Sequence, residues 1–145
     1  MSKNSFINLT LRLLTWVAQW LLAATFLFSG FAKALDPMGM EHKLEAYCAA
    51  WGIPIMAGSL YLDVAAILLA LVEFSLGVYL LLGIRQRLAS IGTLLFMVFM
   101  TLVTVYIYLY NPVTDCGCFG DALILTNGQT LAKNIVLLAC ALLLV

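Results

Sequence analysis

Two cysteines, Cys116 and Cys118, stand one residue apart in the stretch DCGCFGD, residues 115–121, which we call the cysteine loop. A thiol pair at this spacing could exchange disulfides, bind a soft metal or close a structural turn. A disulfide between residues i and i+2 is awkward, because an extended chain holds their Cα atoms near the upper limit of about 4.4 to 6.8 Å. Gly117 permits a tight bend, yet the bond would remain strained, and strained disulfides exchange readily. The spacing therefore favours thiol redox exchange.

A metal site and a purely structural loop are the alternatives. A closed zinc site needs about four ligands, and the loop offers two thiolates and two carboxylates at an unpersuasive spacing. Copper(I) accepts soft thiolates at lower coordination, and His42 and Cys48 could join from another connection. We assign no metal ligand. Asp115 and Asp121 oppose rapid thiol chemistry, because negative charge raises the pKa of a cysteine, so a positive group from elsewhere would have to offset them.

The composition places this loop in a membrane protein. Hydrophobic residues make up 65% of the 145 residues and charged residues 10%, with a mean hydropathy of +1.10. In soluble domains, roughly a quarter of the residues are charged. The formal net charge of zero excludes a basic surface for nucleic acid. We therefore expect lipid, and no nucleic acid, around this chain.

Four apolar runs predict an all-α, membrane-embedded four-helix bundle that forms one domain over residues 1–145. They cover about 13–32, 64–84, 88–110 and 131–145. The last run continues for only about 12 residues after Lys133, roughly 18 Å of helix. We expect this fourth helix to be truncated at the chain end, and the chain to be the N-terminal part of a longer protein. A short amphipathic helix is expected from about Gly39 to Trp51, between the first two spans.

Positive residues predict the orientation of the bundle. Lys3 and Arg12 precede the first span, and Arg85 and Arg87 fill the tight connection after the second. Both places are therefore expected on the cytoplasmic side, with a cytoplasmic N-terminus. The cysteine loop then lies in the periplasm or its equivalent.

Glu73 is an acid near the middle of the second span. An ionised carboxylate there costs about 2.5 kcal/mol or more, so it should face protein. Two interpretations stay open: a protonated Glu73 hydrogen-bonded to a Thr or Gln, or a buried proton relay. A small proton-coupled transporter built on Glu73 is a weaker hypothesis, because it needs further intramembrane charges. Lys33 is expected to extend to the outer interface.

Small and polar residues at helical spacing indicate which faces meet inside the bundle. The second span has such a stripe at Ala66, Ala70, Glu73 and Gly77. The facing stripes are Gln19, Ala23, Phe26, Gly30 and Lys33 on the first span, and Ser90, Thr93, Met97, Thr101, Thr104 and Tyr108 on the third.

Two further cysteines and a histidine have weaker signals. Cys48 is expected on the same side as the cysteine loop and could act as a shuttle thiol, although a lone half-buried cysteine more often packs as a small hydrophobe. Cys140 lies within the fourth apolar run, where inert packing is expected. His42 stands between Glu41 and Lys43 and is expected to be a solvated helix residue.

Three stretches of the chain resemble the DoxX-like and MauE-like family of small four-helix membrane proteins. They are FLFSGFAKALDP, EFSLGVYLLLGIRQRLAS and NPVTDCGCFGDALILTNGQTLAKNIVLL. The likeness covers most of the chain, and the cysteine loop points to the MauE-like branch. The resemblance implies a bacterial inner-membrane bundle with a proposed role in disulfide formation during maturation of a periplasmic methylamine dehydrogenase.

Our leading hypothesis is a thiol-disulfide oxidoreductase of the inner membrane. Cys116 and Cys118 would pass electrons between a periplasmic thioredoxin-like or other redox partner protein and the membrane. By analogy with four-helix thiol oxidases, a quinone is a candidate cofactor. The alternative is a non-catalytic membrane subunit that anchors a periplasmic redox partner, with the cysteine loop as a docking element.

Overall fold

A computed structural model of the chain describes residues 3–56, 58–111, 113, 117, 119 and 123–145, with side chains from residue 7 onward. This part is built from five α-helices: α1 Lys3–Leu35, α2 Pro37–Ala50, α3 Leu60–Leu82, α4 Gln86–Tyr110 and α5 Asn127–Leu144. The helices α1, α3, α4 and α5 are long and apolar enough to cross a membrane. They confirm the predicted all-α fold with four spans.

The fourth membrane helix begins earlier than we predicted. We expected a start near residue 131, because the uninterrupted apolar run begins only after Lys133. Instead α5 begins at Asn127 and has 18 residues, about 27 Å of helix. Thr126 and Gln129 form a capping box, in which each side chain accepts a hydrogen bond from the other's backbone N–H. The prediction that this run is too short to cross was therefore wrong.

The predicted short helix between the first two spans is confirmed as α2, with shifted ends. The Asp36 carboxylate accepts a hydrogen bond from the backbone N–H of Gly39, and Pro37 occupies the first helical position. Glu41 is buried and accepts a hydrogen bond from the backbone N–H of Gly58, just before α3. These contacts hold α2 against the start of α3.

Two glycines let α1 and α3 approach closely. A Cβ built on Gly30 would lie 2.6 Å from the backbone nitrogen of Phe74, and one on Gly77 would lie 2.8 Å from that of Leu27. Only a hydrogen atom fits at either place, as in other tight membrane helix pairs. The predicted small-residue stripe on α3 is confirmed, since its members are all buried: Ala66, Ala70, Glu73 and Gly77.

The helices α4 and α5 pack against each other, and α5 also contacts α1. One buried polar contact joins α4 and α5, where Asn134 Nδ2 donates to Thr104 Oγ1 at 2.7 Å. A cluster of buried apolar residues forms the core of the bundle: Leu22, Ala23, Phe26, Leu80, Ala89, Met97, Leu137 and Ala141. Large apolar side chains such as Trp16 and Leu102 are mostly exposed, as expected for surfaces that face lipid.

Candidate functional site

A buried ion pair lies between α1 and α3. Lys33 Nζ is 2.6 Å from Glu73 Oε2, and the two side chains are 1% and 5% exposed. Ser29 Oγ donates to the same carboxylate oxygen at 2.6 Å and accepts from Lys33 Nζ at 2.7 Å. The three groups thus form a closed set of charge-assisted hydrogen bonds. The Thr or Gln partner that we considered for Glu73 was wrong, because its carboxylate binds Ser29 and Lys33.

The prediction that Lys33 extends to the membrane interface was also wrong. A Cβ on Gly30 would meet the backbone of Ala70, so the last turns of α1 lie against α3 inside the bundle. The following helix, α2, then covers this end of α1, and its Met40 and Leu44 line a cavity together with Lys33. The ammonium group therefore lies under protein and pairs with the nearest carboxylate.

Cavities border the ion pair on more than one side. Ser29 and Glu73 line a cavity of about 30 Å³, enough for a single water, which extends to Lys133 and Asn134 on α5. Lys33 lines a second cavity of about 230 Å³ on the α2 side. Glu73 lines the smaller cavity, and a water there could exchange protons with it, as a proton relay needs. That role remains a prediction for Glu73.

The larger space, which we call the α2 cavity, lies among α1, α2, α3 and α4. Its lining is mostly apolar and includes three aromatic rings: Met40, Leu44, Tyr47, Trp51, Ala65, Leu69, Phe99, Met100 and Val103. Cys48, a half-buried free thiol, also lines it. Gly117 of the cysteine loop completes the wall. The α2 cavity therefore extends from the ion pair to the cysteine loop.

Cys116 and Cys118, the predicted redox pair, lie outside the described residues, but Gly117 between them is described. Gly117 is buried and has a φ of 63°, the left-handed conformation that glycine adopts readily and that a tight bend uses. A Cβ built on Gly117 would collide with the Lys43 side chain. The distance from this Cβ position to Lys43 Nζ is 3.3 Å. Lys43 therefore lies beside the residue that separates the two cysteines in the sequence.

A second contact anchors the cysteine loop. Phe119 is buried and its ring packs edge-on against Phe28 of α1, with centroids 5.5 Å apart. Lys133 of α5 places Nζ 4.2 Å from the centroid of the same ring, within the range of a cation–π contact. Two lysines from different helices therefore lie beside described residues of the loop. Both were missed as site residues, because Lys133 looks like an ordinary charge at the edge of an apolar run and Lys43 like one of several charges on a short amphipathic helix.

The remaining candidates occupy the environments that their sequence context indicated. The His42 side chain is 66% exposed and lies 3.7 Å from Glu45, so it is a solvated helix residue as predicted. Cys140 is half-buried and packs against the apolar core, which confirms the expected packing position.

The fold and the ion pair define a multi-pass helical membrane protein with a paired charge in its interior. The family model described as methylamine utilisation protein MauE matches residues 11–145, so the chain belongs to the MauE family and the resemblance noted in its sequence is confirmed. No curated protein and no solved structure matches the chain.

Proposed function

We propose that this protein exchanges disulfides with periplasmic partner proteins through Cys116 and Cys118. The observation that carries the proposal is the contact between Gly117 and Lys43. A cation beside a thiol favours the thiolate, which is the reacting species. Lys43 thus offers the positive charge that Asp115 and Asp121 made necessary.

The exchange is a two-electron step. A partner dithiol attacks the disulfide of the cysteine loop, a mixed disulfide forms, and the second partner thiol displaces it. The partner gains a disulfide, and the loop becomes a dithiol that holds two electrons and two protons. A quinone could then take both electrons and both protons, which yields quinol and restores the disulfide.

The position of Cys48 supports a role as a shuttle thiol. It lines the same cavity as Gly117, and it is half-buried rather than enclosed in the core. In this role Cys48 would form a transient disulfide with a loop cysteine during reoxidation. The family name links the exchange to methylamine utilisation, and we propose a periplasmic methylamine dehydrogenase as the protein that is matured, at a bacterial inner membrane with the N-terminus in the cytoplasm.

The redox state of the loop in cells tests this proposal. Acid-quenched cells are treated with a thiol-reactive mass tag, and oxidised and reduced chains are separated by size. We expect the loop cysteines to shift from oxidised to reduced when the quinone pool is reduced. A Cys116→Ser, Cys118→Ser variant should abolish the shift and the maturation of the dehydrogenase, whereas Cys140→Ser should change neither.

The same variants separate exchange from anchoring. If the double serine variant retains full maturation and still co-purifies with its partner, the protein is a non-catalytic anchor and the proposal is wrong. Loss of maturation with partner binding intact supports exchange. A Cys48→Ser variant that cycles normally would remove only the shuttle role.

A further inference from the structure

We propose that the α2 cavity binds the ring of a membrane quinone. Most ligand sites are lined by apolar and aromatic side chains with a few placed polar groups, and the α2 cavity has this character. Tyr47, Trp51 and Phe99 supply aromatic surface, against which a planar ring can stack. Binding needs only the described walls of the cavity. The redox consequence rests on the function proposed above.

The size of the α2 cavity suits a ring and not a whole ligand. Its volume of about 230 Å³ is below the roughly 300 to 1,000 Å³ of drug-sized sites. A single ring fits this volume, and an isoprenoid tail would have to remain outside. Ala65 and Phe99, on α3 and α4, are both in the lining and mostly exposed on the bundle surface. A ligand can therefore enter from the lipid with its tail left in the bilayer.

Lys33 distinguishes this cavity from a groove for a lipid chain. Among the described lining residues, it alone is charged. Burying an ion costs several kcal/mol even when it is paired. An acyl chain has no polar group that could interact with the buried ion. A quinone carries two acceptor oxygens, so a cavity with one polar end and apolar walls suits its ring better than it suits an acyl chain. Glu73 is hydrogen-bonded to Lys33, so an acidic group lies next to this polar end.

The position of the α2 cavity also connects it to the thiols. Gly117 of the cysteine loop and the thiol-bearing Cys48 both lie in its wall. A loop dithiol that loses two electrons and two protons becomes a disulfide, and the bound quinone that gains them becomes quinol. No other oxidant is needed for this balance.

Quenching of Trp51 fluorescence by duroquinone, a fully methylated benzoquinone that does not add thiols readily, tests binding. The full chain carries Trp16→Phe and Trp20→Phe, which leave Trp51 as the emitter, and Cys116→Ser and Cys118→Ser. With the loop cysteines removed, quinone binding is scored independently of thiol exchange. We expect quenching that saturates.

Two matched pairs of variants locate the site. Val103→Phe and Leu69→Phe fill the cavity and should weaken quenching about ten-fold or more, a loss of roughly 1.4 kcal/mol. Val105→Phe and Leu68→Phe add the same ring one or two residues away, at exposed positions outside the lining, and should leave quenching within about two-fold. Equal quenching in all four variants would overturn the proposal.

Competition on the parent protein provides a second test that requires no cavity-filling variant to fold. Durene has the ring and four methyl groups of duroquinone without its two oxygens, and dodecanoic acid represents a lipid chain. We expect both to displace duroquinone at least about ten-fold less well than ubiquinone-1 does. Quenching that never saturates, or durene or dodecanoic acid competing as well as ubiquinone-1, would show that the cavity takes any apolar molecule, and the proposal would fail.

Discussion

Lys33 Nζ lies 2.6 Å from Glu73 Oε2, although the two residues are 40 positions apart in the chain and belong to different membrane helices. The pair joins α1 to α3 directly beside the glycine contacts that bring these helices together. It is also the polar end of the α2 cavity. Its loss should therefore affect both the stability of the bundle and the chemistry of the site.

Removing one partner of this pair should destabilise the protein strongly. Lys33→Met leaves Glu73 buried without a counter-charge, and breaking a buried pair in this way typically costs about 3 to 5 kcal/mol. The double variant Lys33→Met, Glu73→Met should regain much of that loss, because no charge then remains buried. Unfolding by SDS in mixed micelles measures the free energy of unfolding of the single and the double variant. Arg87→Met, which changes an exposed cation, is the control and should have little effect. A Lys33→Met protein as stable as the parent would contradict the pairing.

Adding a methyl group at the close contact should force α1 and α3 apart. Gly30→Ala places Cβ within 2.6 Å of the Phe74 backbone, and overpacking of this kind costs about 1 to 3 kcal/mol. Gly128→Ala is the matched control, because its nearest neighbour would be a ring carbon of Tyr108 at 3.7 Å. That change should be neutral or stabilise α5, since alanine is the better helix former. The same unfolding assay compares the two, and equal stabilities would show that the contact is looser than we describe.

The cation beside Gly117 should increase the reactivity of the loop thiols. Lys43→Gln removes it, so less thiolate is present at a given pH and alkylation should slow by roughly three- to five-fold at low salt, the effect of a charge pair near the surface. A higher pH should restore the rate, and Lys43→Arg should retain most of it. Stopped-flow alkylation of the reduced protein, in a background that lacks Cys48 and Cys140, measures the change. His42→Gln, the neighbouring exposed residue, should not alter the rate. If Lys43→Gln and His42→Gln behave alike, the charge of Lys43 plays no part.

Much of the bundle could be predicted because its signals are local. A run of apolar residues long enough for a bilayer predicts a helix wherever it stands, so α3 and α4 were found within about four residues at each end. The end of α1 was found equally well, but α1 begins at Lys3, well before the predicted start of the span. The start of α5 was missed, because the capping box at Thr126 and Gln129 outweighs the charge of Lys133 that had been taken as its border. The stripe that includes Gly77 was also visible, because its helical spacing depends only on neighbouring residues.

The candidate site was predicted only in part. Glu73 was found because an acid inside an apolar span is conspicuous, and Lys33 was already on the stripe of α1 that faces the bundle. Its role was nevertheless misread, because a lysine near a helix end usually extends to water. The signal that could have corrected this is the match of one inward-facing cation with one inward-facing acid.

The sequence alone determined that this chain forms a membrane bundle and which faces of its helices are buried, because length, apolarity and helical spacing are properties of each segment by itself. Only the tertiary structure decided which buried groups meet. Partners across two helices depend on how far one helix is shifted along the other, and that shift is set by the close contacts at Gly30 and Gly77. The pairing of Lys33 with Glu73 is a consequence of that packing, and the contact of Lys43 with Gly117 likewise joins segments that are far apart in the sequence.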